Sequence, residues 1–353
     1  MRKMFTITIS VFCFIFAQDD FFEPGYSFSG YGELHLNKEI NEDGYNTKNK
    51  LDFHRFVLFY GYNFSEKWSF KSEVELEHNM VGDSYAGYME LEQAYVNYYA
   101  GNWGFRVGVL LGDAGYINTI HEPPTFISVE RPDYHSSVIP TTWFGNGFGF
   151  YGSRSGLDWT LNILEDFKGS GLVGKDGIRS ARGKGSTSTI ENWTKNIRVD
   201  YNGMLGINVG ASMTMNDAPI FDTDGITKIS SIGISLMEIH GKYNQDNIMA
   251  TFEYGAISYT NQPDCGGTSG YYLDLGYDIS DMVGWDGKLA PWFRYGNIQP
   301  DTDVVSTHYD VMRFGLSYWP IDQVVFKMDY GTKTYDATTN NKTQINMGVG
   351  YMF

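Results

Sequence analysis

The chain has 353 residues, of which 42 are Asp or Glu and 26 are Lys or Arg, for a formal net charge of −16. This acidic balance argues against nucleic-acid binding as a property of the whole surface, so no nucleic-acid partner is expected. Aromatic residues make up 16% of the chain, beside 41 glycines and only 10 prolines. A soluble secreted β-sandwich is also rich in glycine but rarely as aromatic, so the composition favours a membrane barrel with aromatic girdles.

The N-terminus has the pattern of a secretory signal peptide. Arg2 and Lys3 form a short basic region, and residues 4–17 form an apolar run that ends at Ala17. Because this run is too short to span a membrane as a helix, we expect a signal peptide over residues 1–17.

The two cysteines leave one competing interpretation of the N-terminus. Cys13 lies within the apolar run, as in a lipoprotein signal, but no small-residue lipobox precedes it. Removal of the signal peptide leaves Cys265 alone, so no intramolecular disulfide is expected. Residues 18–25 are then expected to form a short periplasmic segment before the first strand.

The remaining chain, residues 26–353, has the pattern of one antiparallel barrel. It contains no apolar run near the ~18 residues that a membrane helix needs. A membrane protein without such helices must be a closed barrel, because lipid offers no partners for unpaired backbone groups. Alternation and turn residues predict about sixteen strands. Their spans are 26–37, 51–62, 67–79, 90–100, 103–111, 145–154, 156–164, 191–203, 204–215, 228–241, 246–260, 269–279, 287–298, 307–319, 322–335 and 342–353.

Alternation also predicts which side chains face lipid. Val107 and Val109 alternate with Arg106, for example. A cation on the lipid face at mid-membrane costs roughly 2–4 kcal/mol, so Arg106 is expected inside the barrel. The segments 51–62 and 90–100 fit neither phase cleanly, which predicts a β-bulge in each.

The connections between these strands alternate in length, as expected of short periplasmic turns and longer external loops. Turns such as Gly101-Asn102 contrast with the third long connection, residues 112–144. Four of the ten prolines fall in this third loop, so it is expected to be stiff and not floppy. Long ordered loops are usually functional, and this one is the first candidate for the functional site.

Several of these features occur together in one known group of proteins. They are the strand count, the special loop in third place, residues 91–98 (LEQAYVNY), residues 105–108 (FRVG) and residues 129–132 (VERP). In these respects the chain resembles the phosphate-selective porin O/P group of Gram-negative outer membranes. The resemblance implies a homotrimeric porin whose third loop folds into the lumen and narrows it.

Charged side chains of the loop and wall are the candidate site residues. The resemblance makes these loop residues the candidate pore constriction: Glu122, Glu130, Arg131, Asp133 and His135. The alternating phase places these residues on the lumen wall: Lys71, Glu73, Arg106, Arg198, Arg294, Arg313 and Lys327. Each of them has a structural ion pair as its equal alternative.

The expected lumen is mixed in sign. Phosphate-selective members of the group line the pore with inward arginines and lysines, whereas here Asp200 and Asp329 share the inward face with the cations. A mixed lumen predicts modest selectivity and passive diffusion of ions and small hydrophilic solutes, with anions such as phosphate one option.

The fourth long connection, residues 165–190, is rich in Gly, Ser, Lys and Arg. Its basic residues could attract anions to the mouth of the pore by electrostatic steering. Its flexible-linker composition favours the plainer interpretation, a mobile surface loop.

The C-terminal strand indicates where the chain resides. Val349, Tyr351 and Phe353 share one face, with small or polar residues between them. An alternating last strand that ends in Phe resembles the recognition signal of the barrel assembly machinery. We therefore expect a bacterial outer-membrane location, with outer-membrane lipid and lipopolysaccharide around the barrel.

Other chemistries find little support in the motifs. None of the seven histidines accompanies a G-x-S-x-G elbow, so no enzyme activity and no cofactor are expected. His121 and His135 share the third loop with acids, but their spacing matches no zinc site, so no metal site is expected there. An outer-membrane barrel enzyme and a plugged structural or adhesion barrel stay open as alternatives, as does Ca²⁺ at residues 217–224.

Overall fold

A computed structural model describes residues 23–82, 84–172, 176–336 and 341–353. The expected signal peptide over residues 1–17 lies outside the described residues, as do residues 18–22 of the expected periplasmic segment. Within the described ranges, no helix is long and apolar enough to cross a membrane.

Sixteen antiparallel strands close into one barrel, as the alternation predicts. Each strand pairs with its neighbours in sequence, and β1 closes the barrel against β16. The strands are β1 (Gly25–Asn41), β2 (Asn46–Asn63), β3 (Trp68–Glu77), β4 (Met89–Tyr99), β5 (Trp103–Leu111), β6 (Phe144–Arg154), β7 (Leu157–Leu164), β8 (Thr194–Met204), β9 (Ile207–Phe221), β10 (Lys228–Gln245), β11 (Ile248–Thr260), β12 (Gly267–Tyr277), β13 (Lys288–Gln299), β14 (Tyr309–Ile321), β15 (Val324–Tyr335) and β16 (Lys342–Met352).

The two faces of each strand differ as the two-residue period requires. On β14, Met312 and Phe314 are exposed on the outside, whereas Arg313 and Ser317 are buried inside. Because the barrel is closed, no strand edge with unpaired backbone groups faces lipid, and the apolar exterior can contact lipid directly. This is the architecture of bacterial outer-membrane proteins, and it confirms the expected fold and location.

Both segments that fit neither phase contain a β-bulge. In the β1–β2 ladder, Glu33 pairs with Arg55 and the next residue pairs with Phe53, so His54 is the extra residue. In the β3–β4 ladder, the register steps over Glu92 in the same way. A bulge shifts the inward–outward phase, which explains why neither sequence alternates cleanly.

The connections at one end of the barrel are short, and those at the other end are longer apart from the four-residue connection between β1 and β2. The exception at the short end joins β12 to β13 and contains the helical turn α2 (Ser280–Val283). The third long loop, which we call L3, spans residues 112–143 and contains α1 (Tyr134–Ser137). The fourth, L4, spans residues 165–193, of which 165–172 and 176–193 are described.

Apolar side chains from both loops fill much of the interior. Tyr134 and Trp143 of L3 pack with Phe167 and Ile178 of L4 in one buried cluster, which inward strand residues such as Leu236 complete. The favoured interpretation of L4 as a mobile surface loop is therefore wrong for its described part. The high Gly, Ser, Lys and Arg content of L4 outweighs its few large apolar residues in the sequence pattern, yet those residues pack into the buried cluster.

Candidate functional site

L3 folds into the barrel and contacts the wall on several sides. At its start, Gly115 accepts a 2.6 Å hydrogen bond from Arg198 of β8, and the backbone N–H of Tyr116 donates to Glu253 of β11 at 2.7 Å. Further on, the backbone N–H of Val129 donates to Asp329 of β15 at 3.0 Å. The inward-folded third loop is thus present, and strands far apart in sequence hold it.

His121 fixes the part of L3 that faces β3 and β4. Its Nε2 atom lies 3.3 Å from Glu73 and 3.5 Å from Glu92, and all three side chains are buried. Burial lowers the pKa of the imidazole, but hydrogen bonds to these two carboxylates outweigh burial and raise the pKa to about 10. His121 is therefore protonated at neutral pH and neutralises one of two buried carboxylates.

Most of the expected wall cations hold L3 or a neighbouring strand. Lys327 donates to the carbonyl oxygens of Pro123 and Ser128, each at 2.7 Å. Arg294 forms a two-pronged ion pair with Asp274, with both hydrogen bonds at 2.6 Å. Arg294 and Arg198 therefore form structural ion pairs, whereas Lys327 holds L3 through backbone carbonyl oxygens.

Of the other three wall cations, two lie over aromatic rings and the third, Arg313, forms an ion pair with the neighbouring strand. Lys71 lies over the ring of Phe59, with its ammonium 5.1 Å from the ring centroid. The guanidinium of Arg106 lies 4.4 Å from the ring centroid of Tyr151. Arg313 pairs with Asp329 and, among the expected wall residues, is the one that borders the cavity described next.

A cavity of about 300 Å³ remains between L3 and the wall formed by β1, β2 and β14–β16. Glu130, Arg131, Asp133 and His135 border it, so four of the five candidate constriction residues come together there. Glu122 does not border the cavity. His135 is itself buried, with Nε2 only 2.7 Å from Glu253, and presents little free surface.

The side chains around the cavity are more basic than the chain as a whole. The basic residues are Lys38, Lys48, Arg55, Arg131, Arg179, Arg313 and Lys333, and the acidic ones are Glu33, Glu39, Glu130 and Asp133. Seven cations thus face four anions in a protein whose net charge is −16. The local electrostatic potential at the cavity wall is therefore more positive than the net charge of the chain suggests.

Each acidic residue of the cavity lining has a hydrogen-bond or ion-pair partner. Glu130 accepts hydrogen bonds from His35 at 3.1 Å and Asn37 at 2.8 Å, and Asp133 pairs with Lys333. The other two acids are paired as well: Glu33 lies 2.7 Å from Arg55, and Glu39 lies 2.8 Å from Lys342.

Several of the lining cations lack such a partner. Among the described residues, Arg131, Arg179, Lys38 and Lys48 form no ion pair. The Nε atom of Arg131 is buried without a hydrogen-bond partner in the described chain. The lining therefore carries positive charge that no acidic side chain of the described residues neutralises by an ion pair.

The pKa values of two loop residues beside the cavity are lowered. Burial opposes ionisation of Glu130, but the hydrogen bond from His35 outweighs burial and holds the pKa of the carboxyl well below its usual range. Burial and then the nearby charge of Arg55 lower the pKa of the Arg131 guanidinium. A negative charge bound beside this guanidinium would therefore stabilise its charged form.

Polar residues of β1 and β16 line one side of this cavity, although none of them is among the candidate site residues predicted from the sequence. His35 and Asn37 of β1 face inward, as do Gln344 and Asn346 of β16, and all four border the cavity. In the sequence, the alternation of Leu34 and Leu36 with polar residues is the pattern that indicates an inward-facing polar side of β1. Only closure of the barrel, which pairs β1 with β16, shows that L3 meets this wall.

Comparisons with known proteins agree with the barrel. No family model matches the chain. An uncharacterized protein of Aquifex aeolicus (strain VF5) is 28% identical over 346 residues, covering 90% of this chain and 78% of that protein.

Three solved structures share the architecture. An anion-selective porin from Comamonas acidovorans has a TM-score of 0.66 at 9% identity, covering 94% of this chain and 100% of that one. The outer membrane channel DcaP of Acinetobacter baumannii has a TM-score of 0.60 at 11% identity, covering 94% and 97%. OmpT of Vibrio cholerae, in a trimer form, has a TM-score of 0.56 at 13% identity, covering 94% and 99%. At these identities the likeness shows the fold, a porin-like barrel of the outer membrane.

Proposed function

We propose that the protein is an outer-membrane porin through which ions and small hydrophilic solutes diffuse passively, with L3 as the constriction. The observation that carries the proposal is the charged cavity between L3 and the β1, β2 and β14–β16 wall. A solute path lined by charged groups favours hydrated solutes over apolar ones. Glu130, Arg131 and Asp133 would form its loop side, and Arg313 and Lys333 its wall side.

We further propose a preference for anions over cations. It rests on the four lining cations that have no ion pair within the described chain, while every lining acid has a partner. Phosphate is one candidate anion, and membership of the phosphate-selective O/P group is part of this proposal. The anion-selective porin among the solved structures supports it only by analogy of fold.

The expected surroundings and partners remain part of the same proposal. Lipid and lipopolysaccharide would contact the apolar exterior, and three copies would associate as a homotrimer. The barrel assembly machinery would recognise the last strand through Val349, Tyr351 and Phe353. In the structure, Phe353 exchanges backbone hydrogen bonds of 2.9 and 3.0 Å with Gly30, next to the closure of the barrel.

The constriction is tested by removing the middle of L3. Deletion of residues 120–136 is expected to enlarge the rate at which sugars of increasing size enter proteoliposomes. Deletion of residues 223–226, at the exposed tip of another long loop, is the matched control and should leave the rates unchanged. Equal rates for the L3 deletion and the intact protein would remove L3 from the solute path.

A plugged barrel is the second candidate, because L3 and L4 bury a large apolar cluster inside the lumen. It predicts that the intact protein conducts nothing, whereas the deletion of residues 120–136 conducts. We propose no catalytic activity: within the described chain, His121 and His135 are both engaged in holding L3 to buried carboxylates.

A further inference from the structure

Three histidines lie in a row across neighbouring strands near the long-loop end of the barrel. The rings of His35 and His54 stack with centroids 5.0 Å apart, and those of His54 and His78 meet edge to face at 6.0 Å. Three of the chain's seven histidines thus share one patch, on β1, on β2 and just beyond the end of β3. The proposed diffusion of solutes gives no reason for this concentration of imidazoles.

Asp52 joins two of these rings. Its Oδ1 atom lies 2.9 Å from His78 Nδ1, and its Oδ2 atom lies 3.4 Å from His54 Nδ1. One potential ligand atom from each of the three residues lies within 4.8 Å of the others. The three side chains are 12–24% exposed, so solvent ions can reach them.

The backbone is unusual at both histidines. His54 is the extra residue of the β1–β2 bulge, and bulges often redirect a side chain toward a site. His78 has a φ of +60°, a left-handed conformation that is uncommon for residues other than glycine. The N–H of His78 also donates to the carbonyl oxygen of His54 at 3.1 Å, which fixes the two residues relative to each other.

We propose that Asp52, His54 and His78 bind one divalent ion of the zinc class. Zinc lies about 2.0–2.2 Å from imidazole nitrogen and carboxylate oxygen, so two donors of a tetrahedral ion are about 3.4 Å apart. The separations of 2.9 and 3.4 Å between Asp52 and the two rings are close to this value. Small side-chain rotations would therefore place all three donors around one ion.

Two imidazoles and one carboxylate leave a fourth position open. Imidazole ligands suit zinc, copper and nickel better than they suit Ca²⁺ or Mg²⁺. His54 borders the charged cavity, so the open position would face it. The ion would also tie the first residue after β3 to β2.

One cation competes for the same carboxylate. The ammonium of Lys50 lies 2.9 Å from Asp52 Oδ2, but the Lys50 side chain is 47% exposed and free to turn into solvent. Removing this ammonium should tighten metal binding, because no lysine then competes with the metal ion for the Asp52 carboxylate. Lys50→Met is therefore a variant with an effect opposite in sign to loss of a ligand.

The experiment measures zinc binding to folded, untagged protein in detergent by isothermal titration calorimetry. It needs no conductance, so its failure and the failure of the porin proposal are distinguishable. The intact protein is expected to bind one Zn²⁺ per chain, and His54→Asn and His78→Asn to weaken binding by roughly 100-fold, about 2.7 kcal/mol. Asn is suited to position 78 because it tolerates a left-handed backbone.

A matched control is available in another long loop. His308 is 20% exposed and pairs with Asp336 at 3.0 Å, but it belongs to none of the clusters of potential metal ligands found in the described chain. His308→Asn should bind zinc as the intact protein does. Heat-modified mobility on gels would establish that each variant is folded.

Two results would overturn the inference. One is that intact, folded protein takes up no zinc at micromolar concentrations. The other is that His78→Asn binds as tightly as the intact protein while His121→Asn loses the ion, which would place it among the buried carboxylates around His121.

Discussion

The ammonium of Lys327 lies 2.7 Å from the carbonyl oxygen of Ser128, so a charged side chain of β15 holds the middle of L3. The same ammonium lies 3.7 Å from the ring centroid of Phe126 and 2.7 Å from the carbonyl oxygen of Pro123. A group that the alternation assigns to the pore wall is thus a loop anchor. The position of L3 depends on such anchors as much as on the loop's own sequence.

Replacing Lys327 by Met should loosen L3. Each hydrogen bond from a charged donor contributes about 1.5–3 kcal/mol, and the variant loses two of them. We expect larger and noisier single-channel currents, measured in planar bilayers. Lys71→Met is the control, since Lys71 contacts the ring of Phe59 and should give currents like those of the intact protein.

Alkaline pH should weaken the seating of L3 through His121. Its folded-state pKa of about 10 lies above the ordinary value of about 6.5. The protonated ring therefore stabilises the docked loop fully below pH of about 6.5, and this contribution is lost as pH rises through the folded value. Resistance of L3 to added protease should therefore fall as the pH rises from 7 to about 10, the interval that these two pKa values approximately define.

The comparison variant for this pH dependence is His121→Gln. It cannot carry the charge, so its protease resistance should be lower at neutral pH and should change little up to pH of about 10. A parallel decline in both proteins would show that another group is responsible.

Arg131 should set part of the ion preference. Its replacement by Gln removes one unpaired charge beside the cavity, worth about 1 kcal/mol to an ion at 4 Å in water. The permeability of anions should therefore fall by up to about fivefold, and the ratio of anion to cation permeability, read from the reversal potential in a salt gradient, should fall with it. Arg154→Gln, at the exposed short-turn end of β6, should leave the ratio as it was.

Phe353 should matter for assembly more than for stability. Its ring lies 6.1 Å from that of Phe56 and 6.5 Å from that of Phe28, on the outside of the barrel. Phe353→Ala should reduce the amount of folded barrel in the outer membrane several-fold, measured by heat-modified mobility. Phe64→Ala, another exposed aromatic residue, should not; equal yields for the two variants would remove Phe353 from the assembly signal.

The sequence predicts the barrel well because its signals are local. A two-residue period, turn residues and loop lengths define sixteen strands, and even the two bulged segments can be located from their broken alternation. That His54 and Glu92 are the bulged residues cannot be read in this way. Cross-strand register decides it, and register depends on residues that are distant in the chain.

The contents of the lumen are harder to predict, because closure brings together residues far apart in sequence. Arg198 and Lys327 alternate as pore-lining cations do, but whether each faces solute or holds a loop depends on where L3 runs. L4 shows the same limit: its Gly and Ser content suggests a surface loop, yet Phe167 and Ile178 bury it. A few apolar residues outweigh a flexible composition once a partner surface exists.

The most direct test of the porin account is single-channel current from intact, folded protein in a planar bilayer under a KCl gradient. A porin with the proposed anion preference should show stepwise openings and a reversal potential whose sign shows chloride to be the more permeant ion. Silence from protein that is folded by heat-modified mobility would contradict the account and favour the plugged barrel.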